Sequence, residues 1–210
     1  AVMEKLNLSY EIIYVDDNSP DNSWSKIKSL ANGNDKIKGL KLSRNFGQHK
    51  SIAAGLDIVS GNRIVVMDCD LQDQPEEIEN LYVQAAKGFD IVRAKRGNRQ
   101  DSYFKKLSSR LFYFFFNLIA GLNMDSSIAN FGIYDKKVID VFKEYREKEI
   151  FFVSIIDSLG LKKIDITVSH APRTEGKSTY SFKRLLLLGI NVALVGTNRP
   201  LIISAVLGFL

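Results

Sequence analysis

Residues 65–77 read VVMDCDLQDQPEE. An apolar run that begins near Arg63 stops abruptly, and Asp68, Asp70 and Asp73 follow it. In an open parallel sheet, ligands bind beyond the carboxyl ends of the strands. Three acids at such an end are therefore worth a chemical account. Pro75 fits a helix start, where its missing N–H costs nothing, and it predicts a helix through Ala86. Strand, acidic turn and helix together are one half of a β-α-β unit.

The same alternation extends on both sides. Strands are predicted at Glu11 to Val15, Ile37 to Leu42, Arg63 to Met67 and Asp90 to Ala94, with helices near Trp24 to Ala31 and Gly47 to Val59. This order predicts an α/β domain with a Rossmann-like, mostly parallel sheet flanked by crossover helices. The second half predicts a long helix over Ser102 to Leu122 with the cluster LFYFFFNLIAGL, too short to cross a bilayer. A strand at Phe131 to Tyr134, helices at Asp135 to Tyr145 and Phe151 to Leu159, and a strand at Ile164 to Ser169 follow.

Composition narrows the class. The 210 residues, 45% hydrophobic and 25% charged, suit one sizeable globular domain. A net charge of +5 fits an anionic partner such as a nucleotide, phosphate or membrane surface, and equally fits plain solubility. Cys69 is the only cysteine, which excludes a disulfide framework and a cysteine zinc site within the chain. The chain stops inside the apolar run Leu201 to Leu210, as expected of a piece of a longer protein.

Asp16 and Asp17 end one predicted strand, and Asp68 and Asp70 end another. If those strands are neighbours, four carboxylates crowd one rim and their repulsion needs a compensating charge. A divalent cation is the natural candidate, because Mg²⁺ prefers hard oxygen ligands and takes one or two carboxylates plus substrate phosphates. Aspartates also favour turns and helix caps. That reading is kept for Asp21 and Asp73, and the metal reading for Asp68 with Asp70. A receiver domain would use the same acids differently, with Asp68 as phosphoacceptor. The sequence CDLQDQPEE after Asp68 and the length of chain beyond the fourth strand count against it.

Four stretches in register, YEIIYVDDNSPDNSW, LSRNFGQHKSIAAGLDIVSGNRIVVMDCDLQDQPEEI, GFDIVRAKR and RTEGKSTYSFKRLL, cover nearly the whole chain. Their order resembles the family 2 glycosyltransferases of the GT-A fold. Within these it is most similar to the polyprenyl-phosphate sugar transferases, such as dolichyl-phosphate mannose synthase and bactoprenol glucosyltransferases. The resemblance implies an inverting, metal-dependent hexosyltransferase with Mg²⁺ or Mn²⁺ as cofactor. It implies a UDP- or GDP-linked sugar donor, a polyprenyl phosphate acceptor such as undecaprenyl or dolichyl phosphate, and no nucleic-acid partner. It also implies roles. Asp17 and Asp16 meet the nucleoside, Asp68, Asp70 and Gln72 hold the metal on the donor diphosphate, and Arg96 lies near a phosphate. Arg173 and Lys177 belong to the segment that covers the site and meets phosphate. A GT-A transferase acting on a saccharide hydroxyl is the alternative of the same fold.

Three departures from the family pattern matter. The family's opening strand is absent from this sequence. No QxxRW motif is present, which argues against processive polysaccharide synthases. In DSSIANFGIYDKK, Asn130 stands where an acid is usual and Gly132 where arginine is usual, leaving Asp125 as the nearby candidate base. A phosphate monoester has a second pKa near ~6 and is already largely dianionic at neutral pH. The missing acid therefore favours a lipid-phosphate acceptor over a hydroxyl, which needs a base.

The domain reading is a catalytic unit over 1–180 and a membrane-proximal amphipathic segment over 181–210. Lys183 and Arg184 beside Leu185 to Val195 suit a membrane surface. Leu201 to Leu210 is expected to begin a spanning helix. The location implied is the cytoplasmic face of the cell membrane, with association between copies where the apolar faces are exposed.

Overall fold

The computed structural model describes residues 2–96, 128–145, 152–169 and 208. After a short helix α1 (Val2–Lys5), the elements are β1 (Ile12–Asp16), α2 (Ser23–Ala31), β2 (Ile37–Lys41), α3 (Gln48–Asp57) and β3 (Arg63–Val66). A 3₁₀ turn (Pro75–Glu77) leads into α4 (Ile78–Ala86) and β4 (Ile91–Arg96). Then come β5 (Ile128–Asp135), α5 (Lys136–Glu144), α6 (Phe152–Ser158) and β6 (Lys163–Val168). The predicted helix at Ser102 to Leu122 and the segment 181–207 lie outside the described residues. Among the described residues no helix is long and apolar enough to cross a membrane.

The expected α/β architecture is present, but the sheet is mixed and divided. β1 and β2 pair in parallel as one ladder. A second sheet runs in the order β3-β5-β4-β6. β5 is antiparallel to both β3 and β4, while β4 and β6 are parallel. The mostly parallel expectation holds, with β5 the one described strand that runs against its neighbours. Residues 97–127, between β4 and β5, lie outside the described residues, and alternation alone could not give the direction of β5. The same antiparallel strand rules out the receiver reading, whose doubly wound sheet is parallel. β3, β4 and β6 share one direction, so their carboxyl ends lie on one rim.

Period-two alternation sorts the core onto two faces of the second sheet. Ile64, Val66, Ile91 and Tyr134 pack with Leu56 of α3, Val138, Ile139 and Phe142 of α5, and Phe152 and Ile156 of α6. Val92, Ala94, Phe131 and Ile133 pack on the other face with Leu81 and Ala85 of α4. Phe152 meets both Tyr134 and Phe142 edge-on at 5.3 Å, a geometry the ring quadrupoles favour. Arg93 is buried on β4. Its guanidinium forks onto Asp165 across the β4–β6 ladder (2.7 and 3.0 Å) and reaches Asp157 of α6 (2.6 Å). Two carboxylates compensate the buried cation and dock α6 on the sheet.

Gly132 explains its departure from the family pattern. A Cβ there would lie 2.9 Å from the Val92 carbonyl oxygen and 2.9 Å from the Tyr134 hydroxyl. Backbone on the neighbouring strand cannot retreat, so a side chain as large as arginine has no place at this point of β5. Gly132→Ala is expected to destabilise the fold by about 1–3 kcal/mol, as overpacked core sites do. Urea unfolding followed by circular dichroism checks it, and an unchanged midpoint would contradict the packing argument.

Candidate active site

The rim is built from two acid-tipped strands that are not hydrogen-bonded neighbours. β1 pairs only with β2 and β3 only with β5 among the described residues. The two strands are therefore not ladder neighbours among the described residues. What brings the acids together is the loop before α3 and the first residues of that helix.

Asp17 is the centre of this loop. The Phe46 N–H donates to its Oδ1 (2.8 Å) and the Gly47 N–H to its Oδ2 (2.7 Å). The Asn45 side-chain amide donates to the Asp17 carbonyl oxygen (3.3 Å). Gly47 holds φ +93°, a left-handed angle that glycine adopts without a Cβ clash, and it is the N-cap of α3. A carboxylate beside the first turn of a helix also interacts favourably with the helix dipole. The next residue, Gln48, donates its side-chain amide to Asp68 Oδ1 at 2.7 Å. One three-residue stretch thereby holds Asp17 of one sheet and Asp68 of the other.

Asp16 does different work. It is 3% exposed, and its Oδ1 accepts the Ser19 N–H (3.0 Å) to close the turn in which Asn18 takes φ +56°. Its Oδ2 is buried with no hydrogen-bond partner among the described residues. Of the two adjacent acids, Asp17 is the more accessible to a ligand. Asp21, read as a turn residue, accepts the Ser23 N–H at 2.9 Å where α2 starts. Asp73 is buried, and Gln74, not Asp73, stands at the N-cap of the 3₁₀ turn.

Beyond β3 the chain turns sharply. Asp70 Oδ1 accepts the Gln72 N–H (3.1 Å), and Leu71 between them takes φ +61° with its side chain 68% exposed. A left-handed leucine costs of order 1–3 kcal/mol and is usually tolerated where function fixes the backbone. Among the described residues no three His, Cys, Asp or Glu side chains form a metal cage. The donor set of Asp68, Asp70 and Gln72 still fits a cation such as Mg²⁺, which takes few protein oxygens and completes its shell with phosphate and water. Arg96 ends β4 on the same rim, its side chain being outside the described atoms, and Asp125, His170, Arg173 and Lys177 lie outside the described residues.

The model of glycosyl transferase family 2 matches residues 1–142. The chain belongs to glycosyl transferase family 2. Its curated relatives of closely similar sequence are named undecaprenyl-phosphate 4-deoxy-4-formamido-L-arabinose transferases. That of Proteus mirabilis (strain HI4320) is 34% identical over 206 residues, covering 98% of this chain and 63% of that protein. That of Enterobacter sp. (strain 638) is 37% identical over 209 residues, covering 99% and 64%. The chain therefore spans just under two thirds of the length of these relatives. The solved structure of S. aureus TarS 1–349 aligns with a TM-score of 0.50 over 76% of this chain and 50% of that one, at 16% identity, a likeness of fold.

In this family 2 chain, the residues that sequence reasoning missed are Gln48 and Glu77. Gln48 lies inside the RNFGQH stretch that carried the resemblance, yet a single exposed glutamine gives no signal of what it touches. Glu77 reads as an ordinary acid at a helix start. His49, one residue further along α3, is held down to about 4 by burial and is neutral in the fold.

Asp17→Ala removes two charge-assisted hydrogen bonds and is expected to cost about 1–3 kcal/mol. Amide exchange should quicken at Phe46 and Gly47 but not on β6, and unchanged exchange at both residues would contradict the bridge. His49 gives a pH prediction. The unfolded chain binds a proton near pH 6.5 and the folded chain only near 4, so stability falls as pH drops between those values. His49→Gln is expected to flatten that decline by at most about 3 kcal/mol at pH 4, read as the difference between urea titrations of the two proteins.

Proposed function

We propose that this chain is the catalytic part of an inverting glycosyltransferase that moves a sugar from a nucleotide-sugar to a polyprenyl phosphate. The observation that carries the proposal is the rim on which the start of α3 holds Asp17 and Asp68, with Asp70 two residues further along the same acidic turn. Family membership and relatives named for transfer to undecaprenyl phosphate support the same reading.

In this reading the acceptor phosphate oxygen attacks the anomeric carbon in line as the bond to the donor diphosphate breaks, and the nucleoside diphosphate leaves. Asp17, fixed by the Phe46 and Gly47 amides, presents its carboxylate to the nucleoside. Asp68, Asp70 and Gln72 would hold Mg²⁺ or Mn²⁺, which when bound supplies positive charge against the leaving diphosphate. Arg96, Arg173 and Lys177 are assigned to phosphates of the donor and acceptor, where cationic side chains stabilise charge that grows in the transition state. A dianionic acceptor needs no strong base, consistent with Asn130 at the position where an acid is usual. Asp125 is the carboxylate available if one is used.

The open edges of β1 and β3, which share no ladder among the described residues, support the reading that the catalytic unit over 1–180 uses one further strand. The basic and apolar run over 181–210 supports association with the cytoplasmic face of a membrane, where the polyprenyl phosphate resides, and contact between copies.

The test is a thermal-shift series with UDP- and GDP-sugars, with and without Mn²⁺. One nucleotide class is expected to raise Tm only when Mn²⁺ is present, and Asp70→Asn is expected to remove that metal dependence. Absence of any shift from either class, on a chain extended to its relatives' full length, would sink the proposal.

A further inference from the structure

Glu77 stands at the end of the 3₁₀ turn and is 9% exposed. Its Oε2 accepts the Asn80 side-chain amide (2.7 Å) and its Oε1 accepts the Ser169 N–H (3.0 Å), 92 residues away in sequence. Burial opposes ionisation of this carboxyl. The hydrogen bonds from Asn80 and Ser169 outweigh it and hold the group below the usual carboxylate range.

The position of Ser169 gives the contact its meaning. The β4–β6 ladder ends at the pair Arg96 and Val168. Ser169 is the first residue of the chain beyond that ladder, and Glu77 accepts its N–H. Glu77 is reached by the chain that leaves β3 through Asp68, Asp70 and Gln72. β3 and β6 are the two outer strands of the sheet order β3-β5-β4-β6. At ~4.8 Å per strand they lie about 14 Å apart. Residues 67–77 therefore cross the carboxyl-end rim from one edge of the sheet to the other. They are fastened at the start by the Gln48–Asp68 bond and at the finish by Glu77 to Ser169.

We propose that Glu77 is a positioning residue that registers the acidic segment against the end of β6, and so aligns the donor side of the rim with the side that receives the acceptor. The second half of this statement rests on the function proposed above, because Arg173 follows Ser169 by four residues in the sequence. Glu77 needs no contact with substrate for this role. Its charge is not required either. A glutamine can accept the Ser169 N–H through its carbonyl and donate to Asn80 after that amide turns over.

The experiment compares the wild type with Glu77→Ala and Glu77→Gln. Amide exchange at Ser169 is expected to accelerate at least tenfold in Glu77→Ala and to stay near wild type in Glu77→Gln. Unchanged exchange in Glu77→Ala would overturn the tether, whatever reaction the protein performs. With a polyprenyl phosphate in detergent micelles, Glu77→Ala is expected to raise the acceptor KM tenfold or more. Its affinity for the Mn²⁺–nucleotide pair should remain within threefold, since Asp68 keeps its bond to Gln48. Glu77→Gln should restore the acceptor KM. Equal losses of nucleotide and acceptor, or no rescue by glutamine, would overturn the positioning role. If the wild type shows no turnover with any nucleotide-sugar, the functional reading fails while the exchange data still decide the tether. Should Glu77→Ala not fold, Asn80→Ala releases the carboxylate from one side. It is expected to speed Ser169 exchange by a smaller factor, and no change there would count against the proposal.

Discussion

The Asp17 carboxylate, gripped by two consecutive backbone amides, is the constraint on which the rest of the rim depends. Without it the loop ahead of α3 has no fixed place, and Gln48 has no reason to meet Asp68. The two sheets share no ladder among the described residues, and α3 is one of the two links that register them. That helix also packs closely on β1, where a Cβ at Gly55 would meet Val15 Cγ2 at 3.0 Å, and buries Leu56 in the core over β3. A second link joins the opposite ends of these strands. Glu11 accepts both the Ser60 N–H and hydroxyl at 2.7 Å and pairs with Lys38 at 2.8 Å. Its carboxyl is lowered to about 2, first by the bond from Lys38 and then by those from Ser60.

Much of this architecture was legible in the sequence, because the signals were local. Apolar runs bounded by Asp, Asn, Gly and Pro gave every described strand except part of β5, and each described helix beyond α1. The acids at Asp16 and Asp68 were readable as a candidate site for the same reason, since an apolar run that stops in acids is a local pattern. The resemblance to family 2 then named the chemistry, and the family match agrees. What sequence could not give was direction and adjacency. β5 reads as a short strand followed by a helix, and nothing in NFGIY says that it runs against both neighbours. Nor does anything in β1 or β3 say that a helix, not a ladder, joins them.

The residues that sequence left without a role share one property: their meaning lies in a partner far along the chain. Arg93 looked like one of several basic residues in VRAKR, yet it is buried between Asp157 and Asp165 and fastens α6 to the sheet. Gly132 looked like a lost arginine, yet the Val92 carbonyl leaves no space for a side chain. Glu77 looked like the first-turn acid of a helix, and it accepts the Ser169 N–H just beyond β6. Pattern reading finds what a residue is suited to locally and is blind to a contact whose other half lies far along the chain.

The divided sheet also carries a consequence for the order in which the chain assembles. β1 and β2 meet across a short separation, Ile12 opposite Ile37, with one helix between them. The second sheet closes only when Arg63 finds Asp135 and Ile91 finds Lys163. Pairings of long sequence separation come at a greater entropic cost and slow folding. The β1-α2-β2 unit, with Asp17 at its tip, is a local structure that can form early. The acidic turn after β3 acquires its anchor at Ser169 only when the last described strand has joined. The Asp17 side of the rim is thus an early product of folding, and the Asp68–Asp70 side a late one.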